Sequence, residues 1–344
     1  MIHENDIVYF YPEGHSEHYE YGHPERPERV ETIRKSLLEA GWWESGLHTG
    51  PVEIDEEILT GIHNPRYIEI LEEACRQGRH LDMDTYTTPH SWKLALNAAG
   101  GSIAVADCVW KGKSRRGLSL SRPPGHHATS DRGMGFCLLN NVAMAAEYLL
   151  KKAGAHRLAI VDTDLHHGNG TQDIFWRRAD VFYISTHQHP LYPGSGGLEE
   201  IGSGAGEGFT ANIPLPPGSG DKAFDNIFDN IILPLLDRYM PEMILVSFGF
   251  DPHWRDPLGH LQLSALGYHD QVAKLARWAD DNCGHRIALF LEGGYDLEAA
   301  AVCGQAVVAA LLGLEWHDPL GPSPRPEGAS WQMITSRARK IWGF

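Results

Sequence analysis

Positive charge is scarce in this chain. Its 344 residues carry 29 Lys and Arg against 45 Asp and Glu, a formal net charge of −16. So acidic a surface lacks the cations that displace counterions from a phosphate backbone, which argues against nucleic acid as a partner. It attracts cationic molecules instead. Cysteine is scarce as well: Cys75, Cys108, Cys137, Cys283 and Cys303 are odd in number, scattered, and form no C-x-x-C pair. That excludes a disulfide framework and a thiolate zinc site, and a reducing cytoplasm is the expected compartment. Long apolar runs are missing. The longest, Ala299 to Leu314, contains Gln305 and two glycines and is too short to span a bilayer, so no membrane partner is expected. The opening MIHENDIVYFYPEGH has no basic segment followed by an apolar core, as a signal peptide would. There is no internal repeat and no low-complexity linker.

What is present is ordinary globular composition, 42% apolar and 22% charged, with a pattern that alternates. At about 150 residues per domain the length suggests two domains, but one large α/β domain fits equally well. Strand-like runs occur at Gly117–Arg122, Arg157–Thr163, Val181–Thr186, Met243–Phe248 and Arg286–Leu291, several of them apolar on both faces, as in LAIVDTD and MILVSFGF. Strands covered by helices on both sides read this way. Between them lie amphipathic stretches at Ser91–Trp110, Asn141–Ala153, Asp221–Tyr239, Ala265–Asn282 and Leu297–Leu312. Strands alternating with helices of that length predict βαβ units and a parallel sheet. The Pro/Gly-rich stretch Pro190–Gly220 reads as a long functional loop running into strand-like ANIPL, and the tail from Asp318 as an extended surface segment with a short helix near Trp331–Lys340.

In an open parallel sheet, ligands bind beyond the carboxyl ends of the strands. The segments following the five runs are PPGHHA, DLHHGNG, HQHP, GFDPH and EGGYD. Histidine, aspartate or tyrosine stands at every one. Asp162, Asp164 and His166 fall at i, i+2 and i+4; on a strand running through them, all three would share a face. Asp164 and His166 with Asp251 then offer two carboxylates and one imidazole, which leaves coordination positions open, as a catalytic metal site requires. A lone D-x-H is ordinarily a solvated turn, but here an acid precedes it, HHGNG continues it, and GFD lies downstream. His126 and His127, adjacent on a Pro-Pro-Gly turn, suit a general base and its electrostatic partner. Asp162 and Asn169 are the available acceptors for their far nitrogens. Tyr295, after two glycines, suits a phenolic donor to a developing oxyanion.

RPPGHHA, GFCLLNN, VDTDLHHGNGTQ, YPGSG, GFDPHWRDPLG and LEGGYD occur in this order. Together they resemble the zinc-dependent histone deacetylases, and among them the class II and bacterial deacetylase-like amidohydrolases, from HPERPER at His23–Arg29 to about Leu314. The resemblance implies the arginase/deacetylase fold. That is a single α/β domain over residues 1–344, core about 20–314 and wrapping segment 315–344, with a mostly parallel sheet of about eight strands and helices on both faces. It implies Asp164, His166 and Asp251 as ligands of Zn²⁺, with Fe²⁺ or Co²⁺ as alternatives. His127 matches the general base and His126 its supporting histidine, backed by Asp162. Asn169 stands where other members have a second aspartate, which should leave His127 less basic. Tyr295 matches the catalytic tyrosine. Gly135, Phe136 and Tyr192 match the acyl-lysine tunnel, and Tyr192 replaces a more usual phenylalanine. Arg29 matches an internal-channel arginine, and Asp84 in DMDTYTTP a rim aspartate that clamps substrate amides. Asp162, Asp164 and His166 through their carbonyls, with Ser185, match a structural K⁺ site.

The implied activity is metal-assisted hydrolysis of acyl-lysine-type amides, in peptides or small molecules. Acetylpolyamine hydrolysis is the alternative, and a non-catalytic acyl-ligand binder is a third. Polyamine-selective members tend to carry a glutamate after the third metal ligand. Here the aligned residue is Leu258, expected at the pocket mouth beside Trp254 and across from Phe136 and Tyr192. A homo-oligomer is compatible with the long loops.

Overall fold

The computed structural model describes residues 6–344. Its strands are β1 (Ile7–Phe10), β2 (Leu47–Thr49), β3 (Arg116–Ser119), β4 (Leu158–Asp162), β5 (Val181–Gln188), β6 (Thr210–Leu215), β7 (Met243–Phe248) and β8 (Ile287–Leu291). They form one eight-stranded sheet in the order β2-β1-β3-β8-β7-β4-β5-β6, and every pairing is parallel. The helices are α1 (Glu28–Glu39), α2 (Glu56–Ile62), α3 (Pro65–Gln77), α4 (Ser91–Trp110), α5 (Asn141–Lys152), α6 (Asn169–Phe175), α7 (Asp221–Ile227), α8 (Leu233–Tyr239), α9 (Ala265–Asn282), α10 (Leu297–Leu311) and α11 (Trp331–Trp342). Among the described residues, no helix is long and apolar enough to cross a membrane.

Each central strand is apolar on both sides because each side packs on helices. Ala159, Val161, Ile244 and Val246 join one buried cluster, with side chains of α1, α9 and α10. The alternate residues Leu158, Ile160, Met243 and Leu245 join a second, with α4 and α5. This is the period-2 alternation of a strand, buried twice over.

The eight-stranded parallel sheet implied by the resemblance is found, while the five strand-like runs read from the residues alone leave out β1, β2 and β6, although ANIPL points to the last. β1 and β2 are four and three residues long, too short to show a period. β6 contains Pro214 and lies at the sheet edge, where a missing N–H costs no ladder bond. The expected helix over Asp221–Tyr239 is interrupted: α7 passes through a π-helical turn at Phe228–Ile232 into α8. Pro234, in the first turn of α8, has no N–H to give to a regular ladder.

Candidate active site

The connections after β3, β4, β5, β7 and β8 meet above the middle of the sheet. They line a cavity of about 260 Å³ with Pro124, His126, His127, Gly135, Phe136, Cys137, His166, Leu191, Tyr192, Leu258, Gly293 and Tyr295, and Asp84.

At its floor the metal-site candidates converge. The strand does not run through them as expected: β4 ends at Asp162, and Asp164 and His166 lie in the turn that follows. What joins them is hydrogen bonding. Asp164 Oδ1 accepts from the His166 N–H (2.9 Å), and Asp164 Oδ2 from the Gly293 N–H (2.8 Å). Asp251 Oδ1 accepts from the Leu165 N–H (3.2 Å). His166 Nδ1 lies 3.3 Å from Asp164 Oδ1 and 3.2 Å from Asp251 Oδ2, and the ligand atoms of all three residues lie within 4.8 Å of one another. Glycines make the convergence possible. A Cβ on Gly249 would come within 1.9 Å of Asp164 Oδ2, and one on Gly293 within 2.2 Å of Asp251 Oδ2.

The histidine pair is differentiated by its acceptors. His126 Nδ1 faces Asp162 Oδ2 at 3.1 Å, and its Nε2 lies 3.8 Å from Asp164 Oδ1. Burial lowers its pKa, but Asp162 and Asp164 outweigh burial and push it up to about 10. His126 is therefore an imidazolium at neutral pH. His127 Nδ1 pairs with Asn169 Oδ1 at 2.7 Å. An amide oxygen only accepts, so Nδ1 carries the proton and Nε2 is a free base. Burial and the charges of His126 and His166 hold the His127 pKa well below its usual value.

Tyr295 is fixed from its backbone and its ring. Asp256 Oδ2 accepts from the Tyr295 N–H at 2.6 Å. The ring packs edge-on against Phe136 at 5.8 Å, and the Arg29 guanidinium lies 4.8 Å from its centroid. Asp296, the next residue, caps α10 by accepting from the Ala299 N–H. Burial raises the phenol pKa well above its usual value, so it stays a donor. Phe136 adopts φ +70, a left-handed conformation uncommon outside glycine and typical of functional sites. His23 packs against its ring at 4.7 Å.

Arg29 lies behind Tyr295, not in the cavity wall, and donates to the carbonyls of Gly294 (2.7 Å) and Glu292 and to Glu25 Oε1 (3.1 Å). Ser185 sits opposite Asp162 in the β4–β5 register and pairs with His187 Nδ1 at 2.9 Å. Leu258 lines the cavity but Trp254 does not, which corrects the sequence expectation. The Trp254 indole N–H donates to the Gly321 carbonyl (3.1 Å), and its ring stacks on His253. Leu191 takes its place in the wall.

Several residues escaped the sequence reading. Glu292 Oε2 accepts from the N–H groups of Gly125 (2.7 Å) and His126 (3.0 Å) and so holds the histidine turn. It also forms, with His126 and Cys137, a second buried group of potential metal donors, but its carboxylate is committed to those amides. Its signal was an acid directly after an apolar strand. Glu25 is fully buried between Arg29 and Arg122, and nothing in HPERPER distinguishes it from a solvated charge.

Comparison with known proteins decides the family. The histone deacetylase domain matches residues 23–311. The chain belongs to the histone deacetylase family. It is 41% identical over 296 residues to a probable deacetylase of Archaeoglobus fulgidus, covering 85% of this chain and 82% of that protein. It is 39% identical over 305 residues to a histone deacetylase-like amidohydrolase of Pseudomonas aeruginosa, covering 87% and 80%. The crystal structure of the HDA15 HD domain superposes with a TM-score of 0.89 at 33% identity, over 98% of this chain and 94% of that one. As a histone deacetylase-like amidohydrolase, the chain is a hydrolase acting on amides, consistent with deacetylation of acyl-lysine-type substrates.

Proposed function

We propose that this chain is a zinc-dependent deacetylase that removes acetyl or similar short acyl groups from lysine-type amines. The observation that carries the reading is the convergence of Asp164, His166 and Asp251 beneath a cavity that also presents His127 and Tyr295. These residues suit a divalent cation. Asp251 Oδ2 is buried and accepts no hydrogen bond, and burial together with Asp164 pushes the Asp251 carboxyl up to about 6. Two buried carboxylates side by side need positive charge between them. Zn²⁺ fits, and Fe²⁺ or Co²⁺ would fit the same donors. When bound, such an ion supplies Lewis-acid polarisation of the acyl carbonyl and makes water more acidic.

The chain's own residues do the rest. The free Nε2 of His127 takes a proton from the attacking water and passes it to the leaving amine. The imidazolium of His126 keeps His127 neutral until then. Tyr295 donates its O–H to the oxygen that gains charge. Phe136, Tyr192, Leu191 and Leu258 enclose the methylene stem, and Asp84 stands at the rim to accept from substrate amides. Leu258 favours an acyl-lysine over an acetylpolyamine, whose ammonium would be desolvated there without a partner. A structural K⁺ on the carbonyls of Asp162, Asp164 and His166 with Ser185 is in keeping with the β4–β5 register. The five free cysteines suit a reducing cytoplasm.

Chelation tests the reading. Dialysis against a chelator should abolish hydrolysis of an acetyl-lysine peptide, and Zn²⁺ or Co²⁺ should restore it. Full turnover by protein verified metal-free would remove the metal assignment.

A further inference from the structure

Tyr192 forms one wall of the cavity, yet among the described residues its hydroxyl makes no hydrogen bond. Among the described residues, the rings it packs against are those of His127 and His166, at 5.2 and 6.3 Å between centroids, and Gly135 lies so close that an added Cβ would come within 3.0 Å of it. The place of this wall is therefore inherited from the loop that carries it. The incoming leg is tied by backbone: the Gln188 N–H donates to Leu165 and the His189 N–H to Leu215, both at 2.8 Å.

The outgoing leg is tied by side chains. Glu200 Oε1 accepts from the N–H groups of Gly196 (3.0 Å) and Gly197 (2.7 Å), and its Oε2 from Gln172 Nε2 (2.6 Å). A carboxylate only accepts, so the Gln172 amide has a fixed direction. Its oxygen faces the other way and accepts from Asn212 Nδ2 (2.7 Å) and His167 Nε2 (3.1 Å). His167 Nδ1 is then an acceptor, and the Ser195 hydroxyl donates to it at 2.8 Å. Gly196, at φ +87, is seated on the imidazoles: an added Cβ would come within 2.5 Å of His187 and 2.7 Å of His167.

We propose that Gln172 and Glu200, acting through His167 and Ser195, are positioning residues that hold Tyr192 over the reaction centre and so fit the tunnel to a straight methylene stem. His167 directly follows His166, and Gln172 lies on α6, which begins at Asn169 behind His127. One short segment thus carries both the groups of the reaction centre and the latch for the wall facing them. The inference rests on reading the cavity as an acyl-lysine tunnel.

The fixed hydrogen-bond directions provide the test. Glu200→Gln turns an NH2 toward the Gln172 NH2. Gln172→Glu sets two carboxylates face to face. The double exchange, Gln172→Glu with Glu200→Gln, restores every donor–acceptor pair. The measurement is the Kd of metal-loaded protein for two ligands: acetohydroxamic acid, which has no stem, and a hydroxamate carrying a linear methylene chain. Each single exchange should weaken the stemmed ligand about tenfold, the equivalent of losing one or two methylene contacts. The stemless ligand should stay within about twofold, and the double exchange should recover the stemmed one. Ser195→Ala, which removes a single hydrogen bond at the loop, should give a smaller loss of the same kind even if a charge exchange fails to fold. The proposal is overturned if both ligands weaken together, if the stemmed ligand is unaffected, or if the folded double exchange does not recover. If the wild type binds the stemmed ligand no more tightly than the stemless one, the tunnel reading itself fails.

Discussion

Replacing Tyr295 by Phe isolates one oxygen. The ring should stay where it is, because everything that fixes it survives: the Phe136 edge contact, the Arg29 guanidinium over its face, and the backbone bond to Asp256. Among the described residues the phenol oxygen has no hydrogen-bond partner, so its removal orphans no buried group and should leave the melting temperature close to wild type. On the proposed mechanism, what is lost is one donor to the oxygen that becomes negative during attack. A single oxyanion donor contributes on the order of 10²–10³-fold in kcat, about 2.7–4 kcal/mol. The ground-state carbonyl needs that donor less, so KM should change little. The assay is steady-state turnover of an acetyl-lysine peptide by metal-loaded wild type and Tyr295→Phe, with metal content and thermal unfolding measured alongside. A kcat within about threefold of wild type, worth only ~0.7 kcal/mol, would refute the assignment. A large rise in KM at unchanged kcat would instead place the hydroxyl in substrate binding.

Leu258→Glu should raise kcat/KM for acetylspermidine and lower it for an uncharged acyl-lysine amide; wild type that already prefers acetylspermidine to every acetyl-lysine compound would contradict the substrate reading. Asn169→Asp places a negative charge beside His127 Nδ1, which stabilises the imidazolium and raises the His127 pKa. The acid limb of the kcat/KM profile should therefore move to higher pH, and a shift to lower pH would be the wrong sign. Glu25 is pushed up by burial, but Arg122 and Arg29 outweigh this and hold it down to about 2. Its contribution to stability is therefore present above about pH 4.5 and lost as pH falls toward 2. Glu25→Gln, which leaves two buried guanidiniums without a counter-charge, should cost about 3–5 kcal/mol in denaturant unfolding at neutral pH, and a loss below ~1 kcal/mol would show that the arginines find other partners.

The parts of the molecule legible in the sequence are those where one physical demand dominates. β4 and β7 announce themselves because both faces are buried, and the chemistry-bearing residues follow immediately after them. The failures have equally local causes. Asp162, Asp164 and His166 were expected on one strand face from their spacing, but the strand stops at Asp162 and backbone amides of the turn gather the side chains instead. The resemblance places Trp254 beside Leu258 at the pocket mouth, whereas its indole N–H donates to the Gly321 carbonyl and the ring lies outside the cavity lining. Glu25 carries no mark in the sequence, because a buried carboxylate differs from a solvated one only in its partners, which here come from a distant segment, whereas Glu292 is marked only by its place directly after β8.

The sheet order carries a consequence for how this chain acquires its chemistry. β3 supplies the histidine turn, yet its neighbour β8, which supplies Tyr295, lies near the other end of the chain. The connection after β4 and the one after β7 are needed as well. Pairings between such distant segments form slowly, because a large loop must close before any contact rewards it. A nascent chain therefore holds no partial catalyst: His126 and His127 are made early and wait, unassembled, until β8 slots between β3 and β7. The enzyme should switch on in one step, late in folding, and any truncation that removes β8 should silence it while leaving most of the sequence motifs intact.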